Sequence, residues 1–522
     1  MSEEIPKKMK LNEPEPKYES WHSIIENNAK NLGHKIFIES LDQNKKISFH
    51  KMNEYCNKVA NFLKSQKLLK SDKVALIGKN SIENMIIYFG VLKYGAILLP
   101  IFSEESQDNL HRILRLAQIK LVLYDSDLNL DKKNGPPVQW ISFSEFFEND
   151  SAECEFSEHL KDQSVTFNDH LGDRNDIAEI VYTSGTTELP KGIFISRDVL
   201  FYMVEEISKR TGITEKDCVL EYRAYNWLSS QLLTILTSMM KGNSLFFGKK
   251  FSLSNFPNWL KENNITVSSG VPAVLSMMVN KPVSLCKEDV PNLRFITSSS
   301  APLPMETQLK FEEMYGIPIV QGMGMSEAGW MLFNPPERKK RGSVGLPLKY
   351  KEVFFVKNNG LRCEPGEIGE MRIKGKTMGL SYLNGDGSIE EFSKEGFATG
   401  DLGFMDEEGY IYIKGRKKEL IIRGGINISP LEITACLLTH PEISEAATIG
   451  IPDKIYGEEV FSFVVLKNGS KADEADIIAY CKTTLPDFKI PKNILFIPEI
   501  PKTQRGKIAK KDLLKLFEEY MN

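Results

Sequence analysis

Apolar and polar positions follow two rhythms over the first part of the chain. Short runs of aliphatic residues, Val74 to Gly78, Ala96 to Ile101 and Lys120 to Tyr124, predict strands, and the longer stretches Ile82 to Tyr94 and Leu110 to Ala117 between them predict helices. A βαβα order of this kind implies sheets covered by helices. The longest apolar stretch, Met85 to Phe102, is broken by Gly90, Lys93, Gly95 and Pro100. It reads as a buried helix leading into a strand, so no membrane span is expected.

The texture then changes. From Glu364, short strand-like runs alternate with glycine turns, as in EPGEIGEMRIKG and EEGYIYIKGR, which predicts a small β-rich subdomain. Beyond Lys418 the pattern is compact α+β, with strands over Glu445 to Ile451 and Val460 to Leu466, a helix over Ala472 to Lys482 and a basic amphipathic tail from Ile508. Here Ser429, Pro430, Leu431 and Glu432 have the order of a capping box, with serine at the N-cap, proline at the first helical position and glutamate at the third. That places Gly424 and Gly425 on a loop before a helix. No internal repeat is present.

At 522 residues the chain exceeds what one core organises, so a large region plus a smaller one is expected. Hydrophobic residues make up 41% and charged residues 26%, which excludes a wholly disordered or membrane-embedded protein. The formal net charge of −4 provides no overall positive field, so no nucleic acid partner is expected. Lysine-rich clusters such as Glu337 to Arg341 read as solvated surface. The seven cysteines are scattered, with neither a Cys-x-x-Cys pair nor a zinc spacing, and fit reduced thiols in a cytoplasmic protein. The first twenty residues, MSEEIPKKMKLNEPEPKYES, lack an apolar core and read as a disordered lead-in rather than a signal peptide.

The chemistry concentrates in ordered motifs. Tyr182 to Gly192, YTSGTTELPKG, brings Thr183, Ser184, Thr186 and Thr187 together with Gly185, Gly192 and Lys191. Glycine lets backbone approach an anion, consecutive N–H groups form a nest, hydroxyls add donors and lysine adds a compact charge, which suits a polyphosphate. It is not a Walker A loop, because no Gly-Lys-Ser/Thr follows at the required spacing. Four further motifs follow: QGMGMSEAG at Gln321 to Gly329, a segment from Tyr382 to Gly403 ending in FATGD at Phe397 to Asp401, GRKKELIIRGGINISPLE at Gly415 to Glu432, and PKTQRGKI from Pro501. Together they resemble the adenylate-forming superfamily of acyl-CoA synthetases, carrier-protein adenylation domains and luciferases. The string GGINISPLEI is most similar to CoA ligases of the carnitine, benzoate and aryl-acid type.

The resemblance implies an α/β fold. A large N-terminal domain of helix-covered sheets with a small β-rich subdomain would span residues 1–417, and a small mobile α+β domain residues 418–522. It implies that the first loop, with Thr183, Ser184, Gly185, Thr186, Thr187 and Lys191, holds the ATP phosphates. Ser300, Ala301, Met323, Gly324, Asp401 and Arg416 would complete the ATP site, Asp401 accepting the ribose hydroxyls. Glu327 would take Mg²⁺, which prefers oxygen ligands, and with Ser326 and Lys507 would be catalytic, Lys507 reaching the reacting carboxylate and α-phosphate. Lys418 would be the hinge, and Gly424 and Gly425 would let the pantetheine of CoA pass. The acyl pocket is expected around Tyr225, Asn226, Gly270 and Ser298. In EYRAYNWLSSQ, Tyr225 and Asn226 stand where the family commonly has an aromatic-His pair, compatible with a hydroxylated or aromatic acid. The alternative is that Tyr225 and Trp227 are core aromatics and Asn226 caps a turn.

Two positions depart from the family pattern. Glu188 replaces a glycine beside the triphosphate, and Met323 replaces the aromatic residue that covers adenine, where a thioether can still cover a π face. The implied activity is conversion of a carboxylic acid to an acyl-adenylate by ATP and transfer of the acyl group to CoA. The alternatives are an acyl carrier protein as acceptor, luciferase-like oxidation of the adenylate, and a nucleotide-binding scaffold with little turnover.

Overall fold

The computed structural model describes residues 15–148, 154–169, 172–183, 191–393, 396–503 and 507–521. Among them the chain forms four sheets. The helix Ile82–Tyr94 shows why the two largest belong to one body. Ser81 caps its start by accepting the Asn84 N–H, Gly95 ends it at φ 109°, and every residue between is buried. A helix apolar all round must be covered all round. It packs on Lys73–Gly78 and Ile97–Phe102 of an eight-stranded sheet and on Ile36–Ser40 and Lys45–Ser48 of a nine-stranded one. Gly90 lets it approach the helix Phe49–Ser65, since an added Cβ would lie 2.6 Å from Val59. The helix Arg197–Thr211 likewise bridges the sheets, touching Ile177–Tyr182, Gly192–Ser196 and Gly329–Phe333.

The strands Lys73–Gly78, Ile97–Phe102 and Leu121–Asp125 pair in parallel, as the βαβα pattern requires. In the nine-stranded sheet Cys218–Glu221, Val267–Ser268, Phe295–Ser298 and Ile319–Met325 also run in parallel, so their C-terminal ends share one edge. Lys351–Val356, Gly369–Gly375, Phe397–Met405 and Ile411–Arg416 make an antiparallel four-stranded sheet. This β-rich part therefore begins at Lys351, before the texture change at Glu364, because its first strand KEVFFV is fixed by pairing with a strand downstream.

A five-stranded sheet with the helices Pro430–Leu438, Glu474–Lys482 and Lys510–Met521 forms the small C-terminal region. Ser429 and Pro430 start a helix as expected, but there is no capping box. The Ser429 hydroxyl donates to the Lys414 carbonyl across the junction, and Glu432 pairs with Lys489. Tertiary partners have taken both side chains from the local motif.

The four-stranded sheet is fastened to the large region through charge. Lys351, fully buried, pairs with the equally buried Glu206 of the helix Arg197–Thr211, and the Thr377 hydroxyl and Tyr350 N–H also donate to Glu206. Lys351→Met would leave that carboxylate buried without its cation, at a cost of about 3–5 kcal/mol. The expected reading is a lower urea midpoint for the large region, largely restored in Glu206→Leu/Lys351→Met. A single variant as stable as the parent would show that the pair does not fasten the sheet.

Candidate active site

The phosphate loop is closed at its base by the chain itself. Ile177–Tyr182 and Gly192–Ser196 pair antiparallel with Tyr182 opposite Gly192. Beyond that pair the Thr183 N–H donates to the Lys191 carbonyl at 2.9 Å and the Lys191 N–H to Thr183 Oγ1 at 3.2 Å. Ser184, Gly185, Thr186, Thr187 and Glu188 lie outside the described residues. Lys191 Nζ sits 5.0 Å from the centre of the Tyr382 ring, a cation–π contact, and the Tyr382 hydroxyl donates to Glu327 Oε1 at 2.6 Å. Residues from the first three motifs thus meet in one chain of contacts.

Sheet geometry produces this meeting. Tyr382 opposes Ile193 where Ser381–Leu383 pairs with Gly192–Ser196. Ser326 and Glu327 occupy the turn between Ile319–Met325 and Gly329–Phe333, and the Glu327 carbonyl accepts the Gly379 N–H at 2.7 Å. A Cβ at Gly379 would stand 2.5 Å from Ile193 Cγ2 and 3.3 Å from that carbonyl, so only glycine fits. The sequence had marked Tyr382 only as the start of a motif; its place at a sheet edge gives it a role.

Asp401, 4% exposed, lies opposite Arg416 on paired strands and bonds it at 2.9 Å. Burial pushes its carboxyl above the ordinary range, while the charges of Arg416 and Lys507 pull the other way without cancelling the rise. The ion pair brings Arg416 of the fourth motif onto Asp401 of the third. The Lys507 N–H donates to Thr503 Oγ1, and its carbonyl accepts the Thr503 N–H. Lys418 sits in the short turn Lys417–Glu419 between Ile411–Arg416 and Ile421–Arg423.

Met323 is half-buried against the small core around Ala328 and Met371. Gly324 follows it at a register shift, with the Gly329 carbonyl only 2.6 Å from where a Cβ would stand. Ser300 holds φ 75°, a left-handed conformation rare for serine and often found at functional sites, and Ala301 follows it. Gly424 and Gly425, at φ 56° and 83°, make the two-residue turn of a hairpin whose flanking residues Arg423 and Ile426 pair. Both backbone angles demand glycine.

On the acyl side the structure corrects one expectation. Tyr225 is 1% exposed in the main core, donates its hydroxyl to the Leu76 carbonyl at 2.7 Å and its N–H to Asn80 Oδ1. It is a core tyrosine rather than a pocket wall. Asn226 is buried beside it. Gly270 and Ser298 lie at the C-terminal edge of the parallel strands, where ligands bind in open α/β sheets. Gly270 donates its N–H to Thr297 Oγ1 and leaves no room for a Cβ, which would stand 2.2 Å from the Thr297 carbonyl. The sequence reading passed over Glu221 and Arg223, a buried ion pair at the same edge. The signal was two opposite charges in a segment otherwise apolar enough to be a strand end.

Among the described residues no three His, Cys, Asp or Glu side chains gather to hold a metal. A lone carboxylate such as Glu327 still fits Mg²⁺, which takes one or two carboxylates together with substrate phosphates.

The large α/β region and the small C-terminal α+β region follow the order of the motifs. Residues 25–383 match the family model for AMP-binding enzymes and residues 432–507 that for the AMP-binding enzyme C-terminal domain, so the chain belongs to the AMP-binding enzyme family. An oxalate–CoA ligase of Arabidopsis thaliana is 29% identical over 509 residues, covering 95% of this chain and 98% of the relative. Among solved structures, ATP-bound MatB from Rhodopseudomonas palustris gives a TM-score of 0.86 at 26% identity, covering 96% of this chain and 100% of that one. The o-succinylbenzoate CoA synthetase MenE from Bacillus subtilis, in complex with its acyl-adenylate intermediate, gives 0.81 at 26% identity over 94% and 97% of the two chains. The family read from the five motifs is thus the right one, and the protein is an enzyme of the acid–thiol ligase class.

Tyr382→Phe keeps the ring under Lys191 and removes the bond to Glu327. A hydrogen bond to a charged group contributes about 1.5–3 kcal/mol, so acid-dependent pyrophosphate release should fall roughly tenfold or more, with a higher Mg²⁺ requirement. An unchanged Mg²⁺ titration would show that Tyr382 does not position Glu327.

Proposed function

We propose that this protein is an AMP-forming carboxylic acid:CoA ligase whose two half-reactions use one site. A carboxylate oxygen attacks the α-phosphorus of ATP and displaces pyrophosphate; the thiol sulfur of CoA then attacks the acyl carbon and AMP leaves with the electron pair. A free carboxylate is a poor acyl donor because its charge repels nucleophiles, and adenylation converts that oxide into a good leaving group. The enzyme's task is then positioning and charge neutralisation, with no nucleophilic side chain required.

Thr183, Lys191 and the loop between them take the β and γ phosphates, and Asp401 with Arg416 takes the ribose. Met323, Gly324, Ser300 and Ala301 line the nucleotide side. Glu327, oriented by Tyr382 and next to Ser326, holds Mg²⁺, which when bound neutralises phosphate charge. Lys507 neutralises charge at the reacting carboxylate and α-phosphate. The N-terminal domain ends at residue 417, and the C-terminal domain turns about Lys418 to bring Gly424 and Gly425 to the acceptor thiol. The observation that carries this reading is the contact chain Lys191–Tyr382–Glu327, with Asp401 paired to Arg416 across adjacent strands. Among the described residues no helix is long and apolar enough to cross a membrane, and all seven cysteines are free thiols, which supports a cytoplasmic setting.

The reading is tested by pyrophosphate release from ATP across a wide panel of acids, with CoA present, absent or replaced by a phosphopantetheinyl carrier protein. Acid-dependent release with CoA thioester formation is expected. Release without thioester unless the carrier is supplied would move the acceptor to the carrier, and no release with any acid would leave a nucleotide-binding scaffold.

Lys507→Ala should slow adenylation by about 10²–10³ fold, as removal of a single stabilising donor does elsewhere. Thioester formation from chemically prepared acyl-adenylate and CoA should continue. Near-parental pyrophosphate release would remove Lys507 from the first step.

A further inference from the structure

The buried edge that carries Gly270 and Ser298 holds hydrogen-bonding capacity that the described residues do not use. Register places Leu220, Ser268 and Ile296 level on adjacent parallel strands, so Glu221, Ser269 and Thr297 form the next row, and Arg223, Ser298 and Ser299 follow at the strand ends. Glu221 is fully buried and accepts from Arg223 Nε at 3.0 Å and Nη2 at 2.7 Å, from Ser269 Oγ at 2.7 Å and from Thr234 Oγ1 at 2.9 Å. Thr234 lies in the π-helical turn Gln231–Ile235, a distortion frequently found at functional sites. Burial raises the Glu221 carboxyl, but the Arg223 charge and these donors outweigh it and hold the group below the ordinary range. The two-point contact pairs a carboxylate with a guanidinium, so their opposite charges offset each other.

One edge of the Arg223 guanidinium remains. Of its five N–H groups, Nε and one on Nη2 serve Glu221; Nη1 has only Ser299 Oγ, at 3.5 Å, among the described residues. Arg223 is 4% exposed, so water does not readily complete the set. Ser298, 2% exposed, adds a buried hydroxyl with no hydrogen-bond partner among the described residues. Buried donors are nearly always satisfied, and an unpartnered hydroxyl beside a guanidinium edge held by one long bond, at the ligand-binding edge of a sheet, calls for an acceptor from outside.

On the ligase reading above, this edge faces the acyl part of the substrate. We propose that the acid carries an uncharged oxygen acceptor, a hydroxyl, ether or carbonyl, remote from its reacting carboxyl, and that Arg223 with Ser298 and Ser299 recognises it. Charge ranks the candidates. Glu221 already neutralises Arg223, so a second carboxylate would bury an excess negative charge, whereas a neutral oxygen completes the donors without one. An alkyl end would leave those donors unpaired, which discriminates more strongly than the loss of a methylene contact.

The test uses matched acids: butanoate, 4-hydroxybutanoate and succinate, and benzoate, 4-hydroxybenzoate and terephthalate. Pyrophosphate release should favour the hydroxy acid of at least one set over its alkyl or unsubstituted partner by about 10- to 100-fold in kcat/KM, and over the diacid as well. Ser298→Ala/Ser299→Ala keeps the ion pair and the fold. It should lower that preference several-fold, read as the ratio of kcat/KM for the hydroxy acid to kcat/KM for its unsubstituted partner. Glu221→Gln/Arg223→Gln, with both charges removed, should lower the preference in the same direction. A preference for the unsubstituted acid or the diacid, no preference in either set, or a preference that survives in both variants would overturn the proposal. The wide acid panel decides the ligase reading separately, so activity there without selectivity here overturns only the role of Arg223 and the serines.

Discussion

Tyr382 serves two opposite charges with two different parts of one side chain. Its ring face lies under the Lys191 ammonium and its hydroxyl bonds Glu327. Lys191 and Glu327 are more than a hundred residues apart and would otherwise depend on loop conformation for their separation. Here the spacing is fixed by strand pairing, because Tyr382 sits opposite Ile193 at the edge strand that follows the phosphate loop. The close approach of Gly379 to Ile193 and to the Glu327 carbonyl locks the carboxylate's turn onto the same edge. On the proposed reading, a site that places a cation at phosphates and a carboxylate at a metal benefits from rigid elements, since small misplacements of charge cost rate steeply.

The same economy appears in the layers. Two helices packed between the large sheets hold the sheets in one frame, and the buried Glu206–Lys351 pair carries that frame into the four-stranded sheet bearing Asp401 and Arg416. Strain collects where the ligand would sit. Ser300 holds a left-handed backbone, the chain past Arg223 passes through a π-helical turn, and Ser298 keeps a hydroxyl with no partner among the described residues. Local rules broken together at one sheet edge mark function more than stability.

Much of this was legible in the chain. The helix at Ile82 to Tyr94 begins and ends where its pattern predicts, because a serine cap and a following glycine are local signals. The parallel strands beside it are also close to their predicted limits. The motif residues Lys191, Glu327, Asp401 and Lys507 could be named from sequence, whereas the Tyr382 bridge could not, since it arises from pairing between strands nearly two hundred residues apart. Long-range partners likewise overrode Ser429, whose hydroxyl crosses the junction to Lys414. Tyr225 could be either core or pocket by composition, and only its bond to the Leu76 carbonyl decided for the core. The Glu221–Arg223 pair went unread because only the fold buries it.

The central claim is that a substrate carboxylate oxygen attacks the α-phosphorus of ATP at this site. Its most direct test is a turnover with acid labelled with ¹⁸O in both carboxyl oxygens, followed by mass spectrometry of the nucleotide product. The account predicts AMP carrying one ¹⁸O, with unlabelled pyrophosphate as the other product. ADP with labelled orthophosphate, or AMP free of label during acid-dependent turnover, would contradict it.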